Sequence, residues 1–190
     1  ESIGFSSMAP RLSMLMRALW DLGPPLREPT LNTNEKAKRR SSFGLGVVRL
    51  PTSFPGFQGE HAEDLYRACI AHIGAHIQFS GPKFPIRKLK PIQIAVISLI
   101  EDARVENLAL REMPGLRRLW LPLHVAQTPS SLSPNHALMA PNLLARLARA
   151  LIDPDFSDFD GWVKKARSEF FLREDSWEDP QFSRELGGLL

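Results

Sequence analysis

Two histidines stand four positions apart in the stretch AHIGAHIQFS, residues 71–80, which otherwise reads as apolar helix. That spacing lets two imidazoles on one helix reach a single metal ion. Leu65, Cys69, His72, His76 and Phe79 follow steps of four, three, four and three, so they share a stripe. The apolar members of that stripe are expected to turn both imidazoles toward the interior. Farther on, LIEDARVE (Leu99–Glu106) supplies carboxylates. Glu101 lies in the stripe of Ile94, Ile97, Val105 and Leu108, and Glu106 in that of Val96, Leu99, Ala103 and Leu110. A carboxylate among apolar neighbours must be paired, protonated or coordinated. Its available partners are Arg104 or Arg111 on the same helix, the two histidines, another cation, or a metal. His72 and His76 with Glu101 or Glu106 could therefore make a His-His-carboxylate metal site. A buried network of His, Glu and Arg that only fixes helix packing is the alternative.

Other reactive residues offer less. Glu101 and Asp102 are adjacent and point about 100° apart around a helix, which argues against a carboxylate dyad. Asp102 and Glu106 share a face, expected to be a solvated one. His61 lies about 16 Å from His72 along the helix axis, too far for a common metal. His124 and His136 fall in loop-like sequence and read as surface histidines. No serine, cysteine or threonine sits beside a recognisable base, so nucleophilic catalysis has no support. Cys69 is the only cysteine; it reads as a small buried hydrophobe, and it excludes an internal disulfide or a cysteine zinc finger.

The elements that must position these residues are mainly helical. Helical periodicity runs over Pro10–Leu22, stopped by Pro24-Pro25, and a polar segment, Arg27–Ser42, is expected to be a loop. GLGVVRLP, Gly44–Pro51, is the one strand candidate and needs a partner strand. Two long helices follow, Glu60–Phe79 closed by Gly81-Pro82 and Pro91–Arg111 closed by Pro114-Gly115. They are expected to form a hairpin that presses the histidines against Glu101 or Glu106. Leu116–Leu121 reads as a short helix or turn. Ser133 and Pro134 are placed to open a helix to about Ile152, with Pro141 as a break. A last helix is expected over Asp158–Arg173, then an acidic tail. The expectation is a mainly α domain of about six helices built on the long hairpin, with a minor β element.

With 190 residues, 43% of them hydrophobic, the chain can bury a core. Its net charge of +3 is uneven, basic in residues 1–56 and acidic in residues 150–190. The KAKRR cluster, Lys36–Arg40, lies among Asn, Thr and Ser and reads as a solvated mobile loop. Trp20, Trp120, Trp162 and Trp177 read as packing anchors, and no nucleic-acid platform emerges. No apolar run of about 18 residues exists to cross a bilayer, and no secretory signal pattern is present, so direct membrane insertion is not expected and the cytoplasm is the expected compartment.

The segments GVVRLPTSFPG, SFPGFQGEHAEDLYRACIAHIGAHIQFS and KLKPIQIAVISLIEDARVENLALREMPGLRRLWLPLH resemble the N-terminal region of the NorD family, which the CbbO proteins share. The likeness covers about residues 44–124. HxxxH followed by EDARVE also looks like a degenerate zincin pattern, in which a glutamate after the first histidine is the general base and a glutamate on the next helix is the third zinc ligand. Here the base position holds Ile73, which takes no proton. The resemblance implies zinc or iron, or no metal, on His72, His76 and Glu101, with Glu106 and Asp102 as reserve ligands. It implies an accessory module without catalysis of its own, acting with a MoxR/NorQ-type AAA+ ATPase to activate or metallate a target enzyme such as the membrane-bound nitric oxide reductase. The alternative is a metal-dependent hydrolase of zincin descent with an unusual base. In domain terms, residues 1–43 form an N-terminal helix and loop, 44–175 the helical domain, and 176–190 an acidic tail expected to lead to a von Willebrand A domain.

Overall fold

The fold is described here from a computed structural model covering residues 3–30, 40–82, 85, 88–126 and 139–190. The chain separates into two compact units, residues 1–78 and 79–190. Among the described residues it is mainly α, with seven α-helices and a small three-stranded sheet. None of these helices is long and apolar enough to cross a membrane.

In the first unit, helix α1 (Phe5–Trp20) buries Phe5, Met8, Leu12, Met16 and Trp20, a stripe at steps of three and four. Pro10 lies inside α1 instead of opening it, so the helix starts earlier than its proline suggests. It ends where Asp21 turns left-handed (φ 52°) and donates its N–H to the Arg17 carbonyl, before Pro24-Pro25 is reached. The sheet has the order β1-β3-β2. Strand β1 (Leu26–Arg27) runs parallel to β3 (Val47–Arg49), and β2 (Ser42–Gly44) runs antiparallel to it. The single strand expected over Gly44–Pro51 is thus a hairpin, and Arg27 belongs to the sheet instead of opening a loop. The reason is Leu45-Gly46, whose φ angles of 51° and 73° form the reversal. Two successive positive-φ residues suit the twist of a tight hairpin. Most of the KAKRR cluster, residues 36–39, lies outside the described residues.

Helix α2 (Gly59–Phe79) buries Ala62, Tyr66, Ala68, Ile70, Ala71, Ile73, Gly74 and Ala75. Tyr66 anchors the preceding loop: its hydroxyl donates to the carbonyls of Pro51 (2.8 Å) and Thr52 (3.0 Å), and Phe54 meets the ring edge-on. Burial, reinforced by the charge of Glu28, pushes its phenol up to about 12. Gly74 is required by close approach, since a Cβ there would collide with the Trp20 indole.

The second unit is built on helix α3 (Pro91–Glu112), which packs against α5 (Ala140–Ile152) and α7 (Phe182–Leu189). Short turns and the one-turn helix α4 (Arg117–Trp120) follow α3. Pro141 sits in the first turn of α5, where its missing N–H costs nothing, so it starts this helix instead of breaking it. The cap proposed at Ser133 and Pro134 lies outside the described residues. Helix α6 (Gly161–Leu172) packs on α5 and is capped by Asp160, which accepts from the N–H groups of Trp162 and Val163. Ile100, Leu147, Leu151, Phe170, Trp177, Phe182 and Leu186 share one core. Residues 176–190 therefore carry core positions and not only acidic ones: Trp177, Phe182 and Leu186 are buried, while Glu178, Asp179 and Glu185 point to solvent. Gly187 lets α7 lie close on α3, since a Cβ there would come within 2.6 Å of Ile97.

Candidate metal centre

His72 and His76 belong to the first unit, and Glu101, Asp102 and Glu106 to the second. On α2 the two imidazoles stand edge to face, ring centroids 4.7 Å apart and planes at 75°. A ring nitrogen of each lies within 4.8 Å of the other. Zn–N bonds of about 2.0–2.1 Å around a tetrahedral ion need the two nitrogens about 3.4 Å apart. The histidines are half-buried, in place of the interior position expected from their stripe. The physical reason lies in the other face of α2: its alanines, Gly74, Ile70, Ile73 and Tyr66 admit close packing, and they take the core side. Ile73 is buried, so the position that would carry a general base holds a packed aliphatic side chain. His61 is exposed at the start of α2, and His136 lies outside the described residues.

Cys69 is half-buried on the same helix. Burial pushes its thiol up, against a smaller opposing effect of a hydrogen bond with Ser41. A thiol raised in this way stays protonated at neutral pH and is a poor nucleophile.

In the second unit the three carboxylates have three different settings. Glu101 is engaged through both oxygens. Oε1 accepts from Arg104 Nη2 (2.7 Å) and the Ser80 hydroxyl (2.6 Å); Oε2 accepts from Arg104 Nε (2.8 Å) and the Ser183 hydroxyl (2.6 Å). Burial alone would raise this carboxyl, but the hydrogen bonds from Arg104, Ser183 and Ser80, with the charge of Arg104, outweigh it and hold the group below the usual glutamate range. Arg104 is fully buried and also donates to the Trp177 carbonyl (2.6 Å) and the Phe79 carbonyl (2.8 Å). Of the partners the sequence offers Glu101, the structure selects Arg104. Arg111 instead donates to the Glu174 carbonyl and lies over the Trp177 ring.

Asp102 is exposed, whereas Glu106, expected on the same solvated face, is buried with the His124 imidazole 3.5 Å away. His124 is thus partly buried at the end of a short turn and not a plain surface residue. Ser80 and Ser183 escape sequence reasoning, because nothing local marks a serine 82 positions from Glu101 as its partner.

No family model, curated protein or solved structure matches the chain.

Proposed function

We propose that this chain is a non-catalytic accessory module of the NorD kind that carries a divalent metal ion, zinc or iron, on His72 and His76. In this reading it acts with a MoxR-type AAA+ ATPase to activate or metallate a target enzyme such as nitric oxide reductase. The observation that carries the metal is the adjacent, half-exposed imidazole pair on α2. The donors in this reading are the two imidazoles, and Glu101, which the resemblance implies as the third ligand, is committed elsewhere. Glu101 already spends both oxygens on Arg104 and two serines, and withdrawing it would leave a buried guanidinium without its counter-charge. Buried Ile73 in the base position supports binding over hydrolysis. The partner ATPase and the target enzyme rest on the sequence resemblance over residues 44–124.

The test is elemental analysis of protein purified without chelator or nickel resin. Near-stoichiometric zinc or iron is expected in the wild type and in Glu101→Gln, with loss in His72→Ala and His76→Ala. Metal-free, stably folded wild type after zinc or ferrous iron is supplied would overturn the metal; unchanged ATPase turnover of a MoxR-type partner on adding the chain would overturn the accessory role.

A further inference from the structure

In the small sheet of the first unit, in-register partners fix the two faces. Leu26, Val48 and Phe43 share the inner one, and Arg27, Arg49 and Ser42 the outer one. Leu26 and Val48 are buried, whereas Arg27 and Ser42 are exposed and Arg49 is half-buried. Arginines directly opposite each other on neighbouring strands repel, and such a pair is destabilising without a counter-charge. Arg27 donates to the Leu26 carbonyl (3.0 Å), and the ion pairs of this unit join Arg11 to Glu63, and Arg67 to Glu63 and Asp64. Among the described residues no carboxylate pairs with Arg27, Arg49 or the exposed Arg40 just before β2. The hairpin tip of the same sheet carries a second cost. Leu45 is left-handed (φ 51°) where a two-residue reversal favours asparagine or glycine, and its side chain is fully exposed. Phe43, at the rim of the inner face, is 41% exposed. A leucine in a strained conformation with no buried surface gains neither packing nor turn preference from this chain, which points to a contact outside it.

We propose that this hairpin docks on an anionic phospholipid surface, Leu45 and Phe43 entering the headgroup layer while Arg27, Arg40 and Arg49 meet the lipid phosphates and carboxylates. An apolar tip beside uncompensated cations complements such a surface, which is anionic at the water side and hydrocarbon beneath. The contact is peripheral and crosses nothing. It is independent of the histidine pair, so it stands or fails separately from the metal.

The test is co-sedimentation of the full chain with vesicles of phosphatidylcholine containing about one-third phosphatidylserine. Binding is expected at low salt, with none to pure phosphatidylcholine and a steep fall as salt screens the charges. Arg27→Gln and Arg49→Gln are each expected to weaken it about fivefold, and Leu45→Asn about tenfold. Asparagine suits a left-handed reversal, so Leu45→Asn is also expected to leave the denaturant midpoint as high or higher, which separates lost binding from lost folding. No binding to the anionic vesicles, or equal binding by folded Leu45→Asn, would overturn the proposal. Binding to soluble poly-glutamate as tight as to the vesicles would assign the surface to an acidic protein and overturn the lipid.

Discussion

Arg104 has no exposed surface, so its charge is tolerated only because Glu101 and two backbone carbonyls take its N–H groups. Removing one partner of such a pair leaves an uncompensated buried charge, and Glu101→Gln is expected to cost about 3–5 kcal/mol in urea unfolding, whereas replacing both residues by methionine costs much less. The carboxyl of Glu101 is held below its ordinary value of about 4.3, so above that pH its ionised form stabilises the fold fully. Below it, the unfolded chain takes up the proton first, and the stabilisation is lost as pH falls through the lowered folded value. Glu101→Gln should therefore show a shallower acid limb than the wild type. At the other extreme, Tyr66 is the only tyrosine, so tyrosinate absorbance reads it alone. Ionisation near 12 is expected in the native state, the stability that Tyr66 contributes being lost as pH rises from about 10.

At the scale of elements, close approach and capping set the costs. Gly74→Ala drives a methyl into the Trp20 indole and is expected to cost about 1–3 kcal/mol, visible as a lower denaturant midpoint. Asp160→Ala removes the acceptor of two N–H groups at the start of α6 and is expected to cost about 1 kcal/mol. The two long helices were legible from apolar periodicity and from the proline and glycine that bound them. The hairpin was not, because Leu45 occupies a left-handed position that its residue type gives no reason to expect. Pro10 and Pro141 show the same asymmetry: a proline in a helical pattern states that something local changes, while tertiary packing decides whether the helix starts, ends or continues there. The His72–His76 pairing follows from helix geometry alone and was legible. Which face of α2 goes inward depends on the close approach of Gly74 to Trp20 of α1, and that was not.

Over the whole molecule, the carboxylates and the histidines fall in different compact units, and the sequence could give only their candidacy. The partners of Glu101 come from three segments, around residues 80, 104 and 183, and pairings of that range are written in the fold and not in any local pattern. A ligand that binds only the native chain stabilises it by mass action, so zinc at about a hundredfold over its Kd is expected to add about 2.7 kcal/mol, read as a raised thermal midpoint that His76→Ala abolishes. The most direct measurement is the zinc dissociation constant of the wild type beside those of His72→Ala, His76→Ala and the double variant. Joint ligation predicts that either single substitution weakens binding about as much as both together, because one imidazole alone holds zinc poorly. Single-variant losses that simply add, or a constant that neither substitution changes, would contradict joint ligation by His72 and His76.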